Sequence, residues 1–189
     1  RGEHIFNKKQ NSLNQKMTTN FSANCSLAYS ELKNKEVKIN FIVFSVEKNG
    51  ADYKIDVSHK GEGGLTGVKN IFKNEFESKI RFAVIRVDGV DDKNELISTR
   101  NKHIYISYIG PKAPVRVRGS MSVLLPQVEN FLGSFVQYKM SINGAEMEEK
   151  MSIKYIGKML LKFSSAHKPE YYDFGDGQTI SIADLYLSK

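Results

Sequence analysis

Four histidines and a single cysteine are the raw material for any nucleophilic or metal centre in this chain, and their spacing supports neither. His4, His59, His103 and His167 are scattered without ligand spacing, and Cys25 alone cannot supply a thiolate cluster. Each histidine reads as ordinary surface or strand. Gly61-Glu62-Gly63-Gly64 lacks the Lys-Ser/Thr of a phosphate-cradling loop and the spacing of a dinucleotide turn, so it reads as a plain loop. Asp88, Asp91 and Asp92 with Asn94 lack the glycine and the distant glutamate that a calcium loop needs. Asp173-Phe174-Gly175 has the letters of a kinase tripeptide but no catalytic loop upstream. The expectation is a protein that is not an enzyme and uses no cofactor or metal.

What remains is charge. Lys and Arg outnumber Asp and Glu by 28 to 21, a net charge of +7, which favours an acidic partner: a filament, nucleic acid or an anionic membrane surface. The cations are grouped. Arg100-Asn101-Lys102 stands before one apolar run, Arg116-Val117-Arg118 follows it, and Lys150, Lys154, Lys158 and Lys162 recur every four residues. On a helix that spacing makes one stripe of mutually repelling charges, either a solvated face or a binding face. Nucleic acid is not expected. Stacking platforms need aromatics on one exposed face, whereas Tyr105 and Tyr108 fall on opposite faces of one strand.

Several elements must position these groups. At 189 residues, 40% apolar and 26% charged, the chain can build one ordinary domain with tails. No apolar run approaches the ~20 residues that span a bilayer, so a soluble protein is expected. The lone Cys25 suits a reducing compartment, and the sequons at Asn20 and Asn24 read as chance tripeptides. The chain opens at Arg1 rather than Met, so further residues ahead of it are expected. Residues 1–21 read as an extended arm. Residues 22–32 offer cap residues and then Leu27, Ala28 and Leu32 at helical spacing. Residues 39–46 form an apolar strand, Asn49-Gly50 a hairpin turn, and Tyr53, Ile55 and Val57 a second strand with one wet face. Val68, Ile71, Phe72 and Phe76 mark a helix.

Residues 80–87 are apolar on both parities, the pattern of a strand covered on both faces. A polar connection, 88–102, then holds Arg100 and Lys102 as a cationic tip before the strand at 103–109. Gly110-Pro111 stops that strand. Pro126 opens a helix to Leu132, with proline in the first turn, and residues 134–142 give a fifth strand. Asn143 and Glu146 start one long last helix, on which Met147, Met151, Tyr155, Met159 and Phe163 form a buried seam. Residues 164–189 read as an acidic tail. The order predicts an α+β or α/β three-layer domain: a five-stranded mixed sheet with helices on both faces.

Phe82-Ala83-Val84-Ile85-Arg86-Val87, Arg100-Asn101-Lys102, Tyr108-Ile109-Gly110, Arg118, Glu129-Asn130-Phe131 and the helix at 143–162 together resemble the coactosin branch of the actin-depolymerising-factor homology (ADF-H) family. The resemblance covers residues 22–163, flanked by the arm 1–21 and the tail 164–189. It implies an ADF-H, gelsolin-like fold and non-covalent binding to actin filaments (F-actin) or another cytoskeletal complex, in the cytoplasm and cytoskeleton. Carried over by position, Lys102 and Arg100 match the family's filament-binding group at the fourth strand. Lys158, with Lys154 beside it, matches a second basic group on the last helix, and Arg118 a basic residue ahead of the third helix. The family's severing members carry a long basic third helix. Here Gly119 and Pro126 bracket a short segment, so strong severing or monomer sequestration is not expected. The alternative is a structural subunit of a large cytoskeletal or ciliary (axonemal) assembly, held by its tails.

Overall fold

The structure is a computed structural model that describes residues 17–93, 96–164 and 168–187. Most of the expected arm, 1–16 with His4, lies outside these residues, as do Asn94 and His167.

Everything is arranged about β4 (Ile80–Lys93). Phe82 and Val84 point into one apolar cluster, and Ala83, Ile85 and Val87 into another, all fully buried. This is the two-sided burial that the run 80–87 predicts. One edge of β4 pairs antiparallel with β5 (Leu96–Ile109) along its whole length. The other edge pairs with β2 (Phe41–Asn49) from Phe82 to Ile85, then with the short β7 (Tyr171–Asp173) from Asp88 to Val90. A hairpin joins β2 to β3 (Asp52–Gly61), with Gly50 at φ +61° in the first of two loop positions, where a side chain would be strained. β6 (Tyr138–Asn143) runs parallel to β5.

Among the described residues the sheet has eight strands, not the predicted five. Five were legible as apolar runs. The additions are β1 (Thr19–Phe21), parallel to β3, and the pair β7 and β8 (Thr179–Ser181). Three residues carry too little alternation to register as a strand; their neighbours' unpaired edges recruit them.

Helices cover both faces. On one side α1 (Ala23–Lys33), α3 (Val115–Gly119) and α4 (Met121–Leu132) lie over the cluster that holds Tyr105. Leu27, read as inward, is exposed, and Cys25, Ala28, Tyr29 and Leu32 make the buried face. Buried Arg86 fixes α1 to β4: its Nη1 donates to the carbonyls of Leu32, Asn34 and Val37 at 3.3, 3.0 and 3.2 Å. Three carbonyls at a helix C-terminus suit a guanidinium, since the dipole there is negative. On the other side α2 (Gly64–Glu75), α5 (Met147–Lys150), α6 (Ile153–Phe163) and α7 (Ile182–Leu187) pack over the cluster that holds Tyr108.

Two helix predictions are corrected. The helix expected to open at Pro126 begins at Met121, and α3 precedes it with only Ser120, itself helical, between them. Buried Met121, Leu124, Val128 and Leu132 set this helix, and Pro126 sits on its exposed side. The last helix is not continuous. Asn143 and Glu146 do form a capping box, but Met151 and Ser152 leave the helical region and Ser152 Oγ accepts from Tyr155 N to cap a new start. The restart shifts the phase, so Met147 and Met151 are buried, but beyond them Ile156, Gly157 and Leu160 turn inward and Phe163 is 60% exposed.

The tail is part of the core. Tyr172, Phe174 and Leu185 are buried in the same cluster as β4 and α6. Gly157 permits this: a Cβ there would lie 3.1 Å from both methyls of Leu185. Leu185→Ala is expected to cost about 2–4 kcal/mol, the usual range for a buried leucine, read as a lower midpoint in urea unfolding.

His103 supplies a second test. It is 1% exposed, and burial lowers its pKa to about 4, aided by the Arg86 and Lys33 charges and opposed by the Leu32 carbonyl. The unfolded histidine titrates near 6.5, so the unfolded chain takes up a proton that the fold refuses. Stability is therefore expected to fall as pH drops from 6.5 towards 4, by up to roughly 3 kcal/mol from this group. His103→Leu should flatten that slope in urea titrations. An unchanged slope would contradict the assignment.

Candidate functional site

The grouped cations occupy three places. The first corrects a prediction. Residues 88–93 and 96–102 are strand rather than loop, because the β4–β5 ladder continues to Lys93 paired with Leu96. Arg100 pairs with Gly89, Asn101 with Asp88 and Lys102 with Val87, so the basic group lies in mid-strand. The ladder's outer end shows instead Leu96 and Ile97, 78% and 71% exposed. Gly89, Val90 and Asp91 are buried and Asp88–Val90 pair with β7, so this stretch takes its burial from the tail and carries no local strand-like alternation.

Alternation places the two cations. Ile104 and Ile106 belong to the cluster under α6, and even-numbered residues of β5 share that face. Lys102, half-buried, and Arg100, exposed, extend the same face outwards. Asp88, an even-numbered residue of β4, lies on the face opposite buried Val87 and hence away from both cations. Burial pushes the Asp88 carboxyl above its ordinary pKa, against the pull of Arg86, whose Nε is 3.9 Å away.

The second place is α6. Tyr138 pairs with Ile104, and its ring stacks on Phe163 at 5.6 Å, so the last turn of α6 lies over the strand end that leads to Lys102. Lys158 is half-buried in mid-helix and Lys154 exposed one turn earlier. The helical break detaches Lys150 from the predicted stripe, and it pairs with Glu146 at 2.6 Å. Lys154, Lys158 and Lys162 remain on one helix side, within the same layer as Arg100 and Lys102.

The third place separates from the others. Arg118 and Arg116 lie on α3, on the opposite side of the sheet. Arg118 Nε donates to Ala113 O at 2.8 Å and Nη2 to Pro111 O at 2.9 Å, so this guanidinium fastens the turn ahead of its own helix. Arg116 is exposed. The structure thus brings Arg100, Lys102, Lys154 and Lys158 to one face and leaves Arg118 out.

Sequence reasoning missed the share that the tail takes in this site. β7 lies along β4 at Asp88–Val90, and Pro169 closes over Gly89, where a Cβ would lie 3.2 Å from its ring. Gly89 stands in a stretch that reads as a polar connection, so its close approach to the tail had no local signal.

Solved structures share this fold. Coactosin from Entamoeba histolytica aligns with a TM-score of 0.58 at 22% identity over 77% of this chain and 94% of its own. Human coactosin-like protein aligns at 0.60 and 17%, over 80% and 94%. Mouse coactosin, described as an actin filament binding protein, aligns at 0.55 and 17%, over 78% and 94%. No curated protein sequence gives a significant match. Residues 18–156 match the model of the cofilin/tropomyosin-type actin-binding proteins, and the chain belongs to that family.

Proposed function

We propose that this protein binds the sides of actin filaments in the manner of a coactosin, through reversible contacts and without chemistry. One observation carries the reading: Arg100 and Lys102 on a projecting hairpin share a face with Lys154 and Lys158 of α6, in a family of actin-binding proteins. Cations set on rigid elements at an acidic surface raise the association rate and make it salt-sensitive, while packed contacts supply affinity. Exposed Leu96 and Ile97 offer the apolar part of such a contact.

Strong severing and monomer capture are not part of this proposal, on new grounds. The expected short third helix is instead a helical run over 115–132, so its length no longer argues against them. Its composition does, because Met121–Leu132 holds no Lys or Arg and Arg118 is tied to its own turn. The rival reading, a lattice subunit held by its tails, loses support because residues 169–187 are folded against the protein's own core.

Filament co-sedimentation of the full chain is expected to weaken as salt rises. Lys102→Ala with Lys158→Ala should weaken it further, by about tenfold if each charge contributes the usual 0.5–1 kcal/mol of a surface pair. Unchanged pelleting of that double variant would sink the site assignment, and absence of pelleting by the parent protein would sink the function. A contrasting pair separates Arg118 from this face: Arg118→Ala should lower the Tm while pelleting stays at the parent level. A loss of pelleting with no change in Tm would return Arg118 to the interface.

A further inference from the structure

The ladder between β2 and β4 stops at Phe44 and Phe82. Beyond it, residues 45–48 and 78–81 face one another without pairing, and α3 with the start of α4 closes the third side. The result is a cleft of about 510 Å³, within the range that holds drug-sized ligands. Its walls are mainly apolar, from Val46, Ile80, Val117 and Val123.

Its charges are one-sided. Lys48, Lys79, Arg81 and Arg116 line the cleft against a single carboxylate, Glu47. Among the described residues, none of the four has a carboxylate within 4.0 Å, whereas lysines elsewhere, such as Lys60, Lys69, Lys112 and Lys139, are paired. Arg81 is the unusual member. It is only 6% exposed, its Nη1 donates to the carbonyl of its own neighbour Ile80 at 2.8 Å, and its buried Nε has no partner. The guanidinium stacks on Phe76 at 4.1 Å, which holds its plane without neutralising its charge. The Glu47 and Glu75 charges act on Arg81 against the cost of its burial, but neither carboxylate comes within 4.0 Å to receive its donors, and an arginine fork is suited to a carboxylate or phosphate.

We propose that this cleft binds a small amphiphilic anion, its apolar body between Val46, Ile80 and Val123 and its carboxylate or phosphate head against Arg81 and Arg116. Charge complementarity and the apolar lining select this ligand class together: a bare anion leaves the walls unfilled, and a neutral apolar molecule leaves the excess of cations uncompensated and Arg81 Nε without an acceptor. The apolar walls lie on the sheet face opposite Lys102, and the cleft sits at the Ile80 end of β4 whereas Lys102 pairs with Val87 further along it, so the site is separate from the filament surface proposed above.

The test uses laurate, dodecyl phosphate and dodecanol below their aggregation limits, displacing anilinonaphthalene sulfonate fluorescence from the full chain. Laurate or dodecyl phosphate is expected to displace the dye and to raise the Tm, and dodecanol to do so about tenfold more weakly, the worth of one charge-assisted hydrogen-bonded pair. Whichever anion binds more tightly identifies the head group. Arg81→Met should remove the preference for the anions. Should that variant not fold, Lys48→Ala with Arg116→Ala, both exposed positions, should weaken the anions without affecting dodecanol. Equal affinity for anion and alcohol overturns the proposal, as does displacement untouched by the rim variant. Binding to phosphatidylserine vesicles that survives these substitutions, with no uptake of monomeric laurate, also overturns it, in favour of a membrane surface.

Discussion

Fourteen residue pairs join β4 to β5, and both the body and the proposed filament surface hang from that ladder. Its inner half is buried from both sides, which anchors two helical layers at once. Its outer half is flanked by β7 at Asp88–Val90, so the same backbone hydrogen bonds that stiffen the core carry Arg100 and Lys102 outwards as part of one rigid element. A charge on a strand keeps a fixed direction because each side chain follows from the pleat, whereas a charge on a loop does not. The change from tip to mid-strand therefore alters what these cations do: they form a directed edge of the sheet.

The other edge of β4 shows what happens where pairing stops. β2 holds it from Phe82 to Ile85, β7 takes over from Asp88 to Val90, and the start at Ile80 and Arg81 has neither. The first interval makes the core, the second binds in the tail, and the third leaves the cleft. One strand thus organises three environments because its partners are shorter than it is.

Where local chemistry decides the outcome, the sequence was readable. Two-parity burial at 82–87, glycine in the β2–β3 turn, the opposite faces of Tyr105 and Tyr108 and the capping box at Asn143 all rest on neighbours in the chain. Where distant contacts decide, it was not. Ser152 restarts a helix because Ile156 and Leu160 pack inwards, and nothing in the four-residue repeat of methionines and lysines announces that shift. Three-residue strands form only because an edge is waiting for them. The candidate site divides the same way. Charge grouping showed the cations and the family resemblance singled out Lys102 and Lys158, but the Arg118 hydrogen bonds and the burial of Arg81 depend on which carbonyls and rings lie nearby.

The two sides of the sheet also differ in when they can be completed during synthesis. The cluster beneath α1 and α4 draws on residues from Cys25 to Leu132, with Val136 packed against it. The cluster beneath α6 includes Tyr172, Phe174 and Leu185. A chain emerging from the ribosome N-terminus first therefore presents every residue of the former before Tyr172, Phe174 and Leu185 of the latter. The latter waits for Leu185, so its completion follows that of the former. One apolar face of the sheet thus stays open longer than the other, and α7 seals it.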